Sequence, residues 1–143
     1  MGKLNDLYYL MHENLTKLDE LLSKQSPRTI IEDFYFMNSV LHILQVSIQA
    51  LIDMACHLIS ELKEKPPATY SEAATILKKK DVLSKEEAEL MKKMIGFRNI
   101  VVHGYITLSL DLVVRILEEK KYKDILKIAK RIMSYARNKN IDC

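Results

Sequence analysis

The feature that most constrains this chain is an apolar ladder between residues 36 and 62. Met37, Leu41, Leu44, Ile48, Leu51, Ala55, Leu58 and Leu62 recur at alternating spacings of four and three. On an α-helix such positions fall on one side, and Phe36, Val40, Ile43 and Met54 widen that side into a broad face. A strand would need a period of two, so the ladder excludes one. A helix this long and this broadly apolar has to be covered on two flanks, by neighbouring helices or by a second copy of itself. It must end before "KEKPP", because consecutive prolines cannot continue a helix.

The remaining segments read as partners for that helix. From Lys3 to about Lys24, Leu4, Leu7, Leu10 or Met11, Leu15, Leu18 and Leu22 make an amphipathic helix, and "SPR" at 26–28 breaks it. Thr29, with Glu32 three residues on, is the expected N-cap of the long helix. Thr69 with Glu72 and Ser84 with Glu87 repeat the capping pattern for two further helices. The helix from Ser84 carries Met91, Ile95, Arg98 and Val102 on one stripe, with Leu90, Met94, Phe97 and Val101 beside it, and Gly104 is placed to stop it. A final helical region runs from about Ser109 to Asn138, with a break near "KKYKD". Only three Gly and three Pro occur in 143 residues that are 48% hydrophobic, enough for one core. The expectation is therefore a single all-α domain over residues 1–143, an up-and-down bundle of four to five main helices.

Composition excludes more than it assigns. The net charge of +3 tolerates nucleic acid without demanding it. Cys56 lies in an apolar run and Cys143 is the last residue, so neither a disulfide framework nor a paired-cysteine metal spacing is present, which points to a reduced, cytoplasmic setting. "MGKLNDLYYL" lacks the apolar core of a signal peptide, and Asp6 stands where a myristoylation signal needs a hydroxyl. No unbroken run of about 18 apolar residues suggests a membrane span. Cys56 and His57, adjacent on a helix, diverge by about 100° and make a poor metal pair. His12 reads as a surface residue.

The chemistry concentrates in "RNIVVHGY", residues 98–105. Arg98 interrupts an apolar stripe, so its permanently charged guanidinium needs an anionic partner. That partner is either Asp53, which also interrupts an apolar face, or an anionic ligand. His103 follows after five residues, roughly 140° further around the helix, so the two share no face unless the helix loosens at its end. Asn99 offers an amide beside Arg98, and Tyr105 a phenol at the same mouth of the bundle. Arg and His without carboxylate clusters suit phosphodiester chemistry needing neither metal nor cofactor: Arg holds the phosphate and His moves protons while a ribose 2′-hydroxyl attacks.

"RNIVVHGY" resembles the motif of Arg, four residues, His, any residue and Tyr found in HEPN-domain proteins, specifically HepT-type toxins encoded beside a small MntA-type nucleotidyltransferase. "LHILQVSIQALIDMACHLISE" is similar to that family's long second helix. "PPATYSEAATILKKKDVLSKEEAELMKKMIGFRNIVVHGY" follows its central block in order and spacing, so the resemblance covers about residues 30–110. It implies an all-α homodimer whose two motifs face a shared cleft, and a metal-independent ribonuclease with Arg98 and His103 as the catalytic pair. Asn99 is the accompanying polar residue, and Asp53 falls where the family keeps a polar residue in the long helix. Tyr105 matches the tyrosine that the nucleotidyltransferase antitoxin AMPylates to silence the toxin. His42 departs from the pattern, standing where the family often has Arg. From a different class, a non-catalytic helical subunit that binds nucleotide or substrate for a nucleotidyltransferase would use the same Arg98 and Tyr105. A purely structural helical dimer would pair Arg98 with Asp53 and leave His103 away from any cleft.

Overall fold

The structure is a computed structural model that describes residues 2–104 and 107–141. Its described residues form helices and no strand: α1 (Lys3–Lys24), α2 (Pro27–Glu32), α3 (Phe34–Glu61), α4 (Tyr70–Lys79), α5 (Lys85–His103), α6 (Leu110–Glu118) and α7 (Lys123–Asn138). Four of these, α1, α3, α5 and α7, have 22, 28, 19 and 16 residues and make the main bundle. The all-α expectation and the count of main helices both hold.

The apolar ladder is the axis of the fold. α3 packs against α1, α4, α5 and α7, and Leu44, Ile48, Leu51, Ala55 and Leu58 are buried among them. Each fully buried Leu or Ile contributes about 1.5–3 kcal/mol relative to exposure, which makes this face the main apolar driving force of the bundle. The ends of the ladder are less covered: Met37, Leu41 and Leu62 are only half-buried. By length and composition alone α3 passes for a membrane span, although no unbroken apolar run crosses it. Its most apolar window is 56% buried inside the bundle, as befits a core helix.

Helix starts follow side-chain caps, with one correction. Ser26, not Thr29, begins the segment after the break, accepting a hydrogen bond from the Thr29 N–H at 3.2 Å. Pro27 takes the first helical position, where its missing N–H costs nothing, so a short helix starts earlier than expected. Asp33 then interrupts the backbone with an extended conformation and caps α3 by accepting from the Phe36 N–H at 2.9 Å. Thr69 caps α4, and Ser84 and Glu87 complete a reciprocal capping box at α5.

Two polar ties fix the outer helices. Glu87 also accepts from Arg131 Nε at 3.3 Å, joining the start of α5 to α7. Burial pulls the Glu87 carboxyl upward, but the Ser84 N–H, the Arg131 charge and the Ser84 hydroxyl outweigh it and hold the group below the usual carboxylate value. The break near "KKYKD" lies between α6 and α7, where Lys120 takes a left-handed φ of 52°. Just after it Tyr122 is 1% exposed and its hydroxyl donates to Asp19 on α1. Burial, then the bond to that carboxylate, pushes the phenol well above its usual value.

Candidate anion site at the end of α5

α5 stops at His103, as the position of Gly104 led one to expect, but not by a left-handed glycine. Gly104 has φ −136°, and its N–H donates to the Ile100 carbonyl at 2.8 Å, so regular helical bonding continues to the very end. Thr107 then folds its hydroxyl back to the Gly104 carbonyl at 2.7 Å. Regular geometry through residue 103 keeps Arg98 and His103 roughly 140° apart around the axis and about 7.5 Å apart along it. The expected loosening that would bring them together is absent within one chain: Arg98 is half-buried and His103 exposed.

Arg98 is the polar residue that the fold holds most deliberately. One terminal nitrogen donates to Asn99 Oδ1 at 3.1 Å, and the guanidinium carbon lies 5.5 Å from the centre of the Tyr70 ring at the start of α4. The flat cation thus rests on an aromatic face, an arrangement that fixes its plane without neutralising it. Its Nε is buried with no hydrogen-bond partner. Among the described residues no carboxylate comes within ion-pair distance of it. Asp53, half-buried on α3, instead accepts from Gln49 Nε2 at 2.9 Å one turn earlier on its own helix. The internal pair between Arg98 and Asp53 that a purely structural role requires is therefore not made. Gln49 Oε1 is a second buried atom without a partner, so α3 and α5 each present unfilled hydrogen-bonding capacity.

Asn99 is exposed and spends its carbonyl oxygen on Arg98. Tyr105 and Cys143 lie outside the described residues. His42 is exposed on α3, and His12 is exposed on α1. His57 Nε2 lies 3.8 Å from Glu61 on the same helix. Burial, then the nearby Asp53 charge, pushes the Cys56 thiol up, which disfavours the reactive thiolate. Among the described residues no three His, Cys, Asp or Glu side chains gather as a metal site would need. Sequence reasoning missed Tyr70. Its position at the first residue of a capped helix was legible, but the approach of that helix to Arg98 is a tertiary fact.

The model of a family described as ribonuclease HepT-like matches residues 11–132. The mRNA nuclease HepT of Shewanella oneidensis is 31% identical over 101 residues, spanning 67% of this chain and 76% of that protein. The tRNA nuclease HepT of Aphanizomenon flos-aquae is 35% identical over 101 residues, spanning 68% of this chain and 62% of its own length. Among solved structures, a tri-AMPylated Shewanella oneidensis HEPN toxin in complex with an MNT antitoxin has a TM-score of 0.84 at 24% identity, over 94% of this chain and 98% of that one. The cytosolic protein YutE of Bacillus subtilis has a TM-score of 0.80 at 19% identity, over 97% and 95% of the two chains. These structural likenesses concern the fold.

Proposed function

The chain belongs to the ribonuclease HepT-like family, and from that premise we propose that it is a metal-independent endoribonuclease, the toxin of a toxin–antitoxin pair. The observation that carries the reading is Arg98: a half-buried, permanently charged guanidinium, braced by Asn99 and Tyr70, with no carboxylate partner among the described residues. Such a group is built for an external anion. An RNA phosphate fits it, and the names of the relatives supply the substrate class.

In the proposed reaction Arg98 holds the phosphate oxygens and offsets the charge that grows on them. The ribose 2′-oxygen forms a bond to phosphorus while the bond from phosphorus to the 5′-oxygen breaks. His103 carries the proton from the attacking hydroxyl towards the leaving oxygen. Asn99 positions the guanidinium, and Asp53 supports the site from α3. Domain 1–143 acts as one unit in the cytoplasm.

Because Arg98 and His103 stand apart on one straight helix, the proposed reading has a second copy complete the site. We place two copies with their α5 ends facing a shared cleft. What supports this is the half-buried run of Gln45, Gln49 and Asp53 on α3, together with the orphaned Gln49 Oε1 on α3 and Arg98 Nε on α5. An antitoxin nucleotidyltransferase would attach AMP to Tyr105, adding a negative phosphate at the cleft and repelling RNA. A Tyr105→Phe protein should then gain no mass when incubated with that enzyme and ATP.

Purified Arg98→Ala and His103→Ala proteins should lose cleavage of RNA while remaining folded and dimeric. Full cleavage by His103→Ala would sink the mechanism. One observation favours the second reading, a non-catalytic subunit that binds nucleotide or substrate: within a chain His103 stands exposed and apart from Arg98. That reading expects RNA or nucleotide binding that survives His103→Ala, no cleavage by the wild type, and no growth arrest on its expression alone.

A further inference from the structure

α7 carries a charge pattern that the proposed catalytic pair does not use. Between Lys123 and Asn138 five basic residues stand against one acid, a local net of +4 in a chain whose total is +3. Lys123, Lys127, Lys130, Ser134 and Arg137 follow spacings of four and three, and all are exposed. They make one polar line about 21 Å long, on the side opposite the buried Ile125, Ile128, Ile132 and Met133. Mixed-sign surface helices look different. α1 alternates Lys3, Asp6, Glu13, Lys17 and Glu20 over a similar length.

The line borders a concavity. A groove of about 400 Å³ runs between α1 and α7, walled by Lys123, Lys127 and Lys130 on one side and by His12 and Thr16 on the other. Its floor includes Leu15, Tyr122 and Leu126. Asp19, its only acid, is already engaged by the Tyr122 hydroxyl and lies 3.9 Å from Lys123. Lys127 and Lys130 make no ion pair among the described residues. On the α1 wall the exposed ring of His12 lines the same groove as these free cations.

We propose that the α1/α7 groove is a second RNA-binding site, in which single-stranded RNA lays its phosphates along Lys127 and Lys130 and stacks a base on His12. Free cations beside an exposed aromatic ring on an apolar floor are what sequence-tolerant binding of single strands needs. A compact acidic protein surface would use the lysines but leave the ring idle. The choice of RNA rests on the nuclease reading above. The groove lies between α1 and α7, whereas Arg98 lies between α5 and α4, so it acts as an affinity site for longer substrates.

The test is fluorescence anisotropy of a labelled oligouridine, titrated with the His103→Ala full chain over a range of salt. The double variant K127Q/K130Q should reduce the slope of log K against log salt by about 1.4, two lost phosphate contacts to a single strand, and weaken binding at least about fivefold. K127R/K130R should restore both. H12A should weaken binding roughly fivefold or more without changing the slope. K78Q/K79Q, the same charge loss at the end of α4, should change little. Absence of RNA binding, an indifferent K127Q/K130Q, or an equal loss in K78Q/K79Q overturns the site. Competition by polyglutamate as strong as by RNA also overturns it, in favour of an acidic protein. Cleavage is scored separately with His103 restored. Groove-dependent binding without cleavage removes the nuclease reading and leaves the groove, while cleavage with an indifferent groove does the reverse.

Discussion

A site completed by two copies makes a quantitative prediction about mixed dimers. Arg98 and His103 of one chain stay roughly 140° apart because α5 is regular to its last residue, so in the proposed dimer a phosphate held by one chain's Arg98 meets the other chain's His103. A two-fold pair then contains two equivalent composite sites. Combine one Arg98→Ala chain with one His103→Ala chain. The first site loses both groups, and the second keeps an intact Arg98 from one copy and an intact His103 from the other. Each homodimer is inactive, while the isolated heterodimer should retain about half of wild-type kcat per dimer, because one of two sites survives. An equimolar mixture at exchange equilibrium, half heterodimer, should show about a quarter. The assay is cleavage of a fluorescent RNA by heterodimers purified through two different tags, with KM unchanged. A heterodimer as inactive as its parents refutes the shared site and requires Arg98 and His103 to act together within one chain.

Other expectations follow from individual contacts. Asp53→Asn should shift the denaturant midpoint by less than about 0.5 kcal/mol equivalent, because Asp53 bonds Gln49 and not Arg98; breaking a buried ion pair would instead cost about 3–5 kcal/mol. Tyr122→Phe removes a hydroxyl that donates to the Asp19 carboxylate beneath a buried ring. It should cost about 1.5 kcal/mol, read by urea unfolding, with RNA cleavage unaffected. Glu87 has a folded value below its unfolded one, so the unfolded state binds more protons as acid is added. Its contribution is complete above the unfolded carboxylate value and is lost as pH falls through the folded one. Glu87→Gln should flatten that acid limb of the stability curve and leave the slope near neutrality unchanged.

How much of this was legible before the structure differs between fold and site, for physical reasons. Helices reveal themselves locally: the ladder from Met37 to Leu62, the prolines after it, and the caps at Thr69 and Ser84 are short-range signals, and α3, α4 and α5 begin or end within a few residues of where those signals place them. The exception is the expected cap at Thr29: Ser26, with Pro27 at the first helical position, starts a separate short helix, and Asp33 caps the long one. Site residues are harder because their meaning is a partner. Arg98 announced itself as a charge on an apolar stripe, yet sequence left Asp53 and an external anion equally open. The structure shows Asp53 bonded to Gln49 instead. Tyr70 had no signal at all, since only the packing of α4 on α5 brings its ring to the guanidinium.

For the proposed site a regular end to α5 matters more than a distorted one. A helix that unwound before His103 would bring both groups to one phosphate in a monomer, but its free carbonyls and loosened turn would let them wander, and positional error is expensive in catalysis. Keeping the helix intact through the Gly104 N–H to Ile100 bond holds each group on a rigid scaffold. In the proposed dimer neither chain then forms the site alone, and dimerisation would be part of the active-site chemistry. A substitution at Gly104 tests this directly. A Cβ there would meet the Ile100 carbonyl at 3.7 Å, an ordinary contact, and Thr107 Oγ1 at 3.3 Å, where that side-chain hydroxyl has to give by a few tenths of an ångström. Because the φ of −136° suits any residue, Gly104→Ala should fold, dimerise and cleave RNA within about threefold of wild type, a shift of well under 1 kcal/mol. A glycine needed for left-handed backbone would instead lose activity and stability together. Retained activity in Gly104→Ala, alongside complementation by the mixed dimer, would tie the reaction to an unbroken helix in each of two chains.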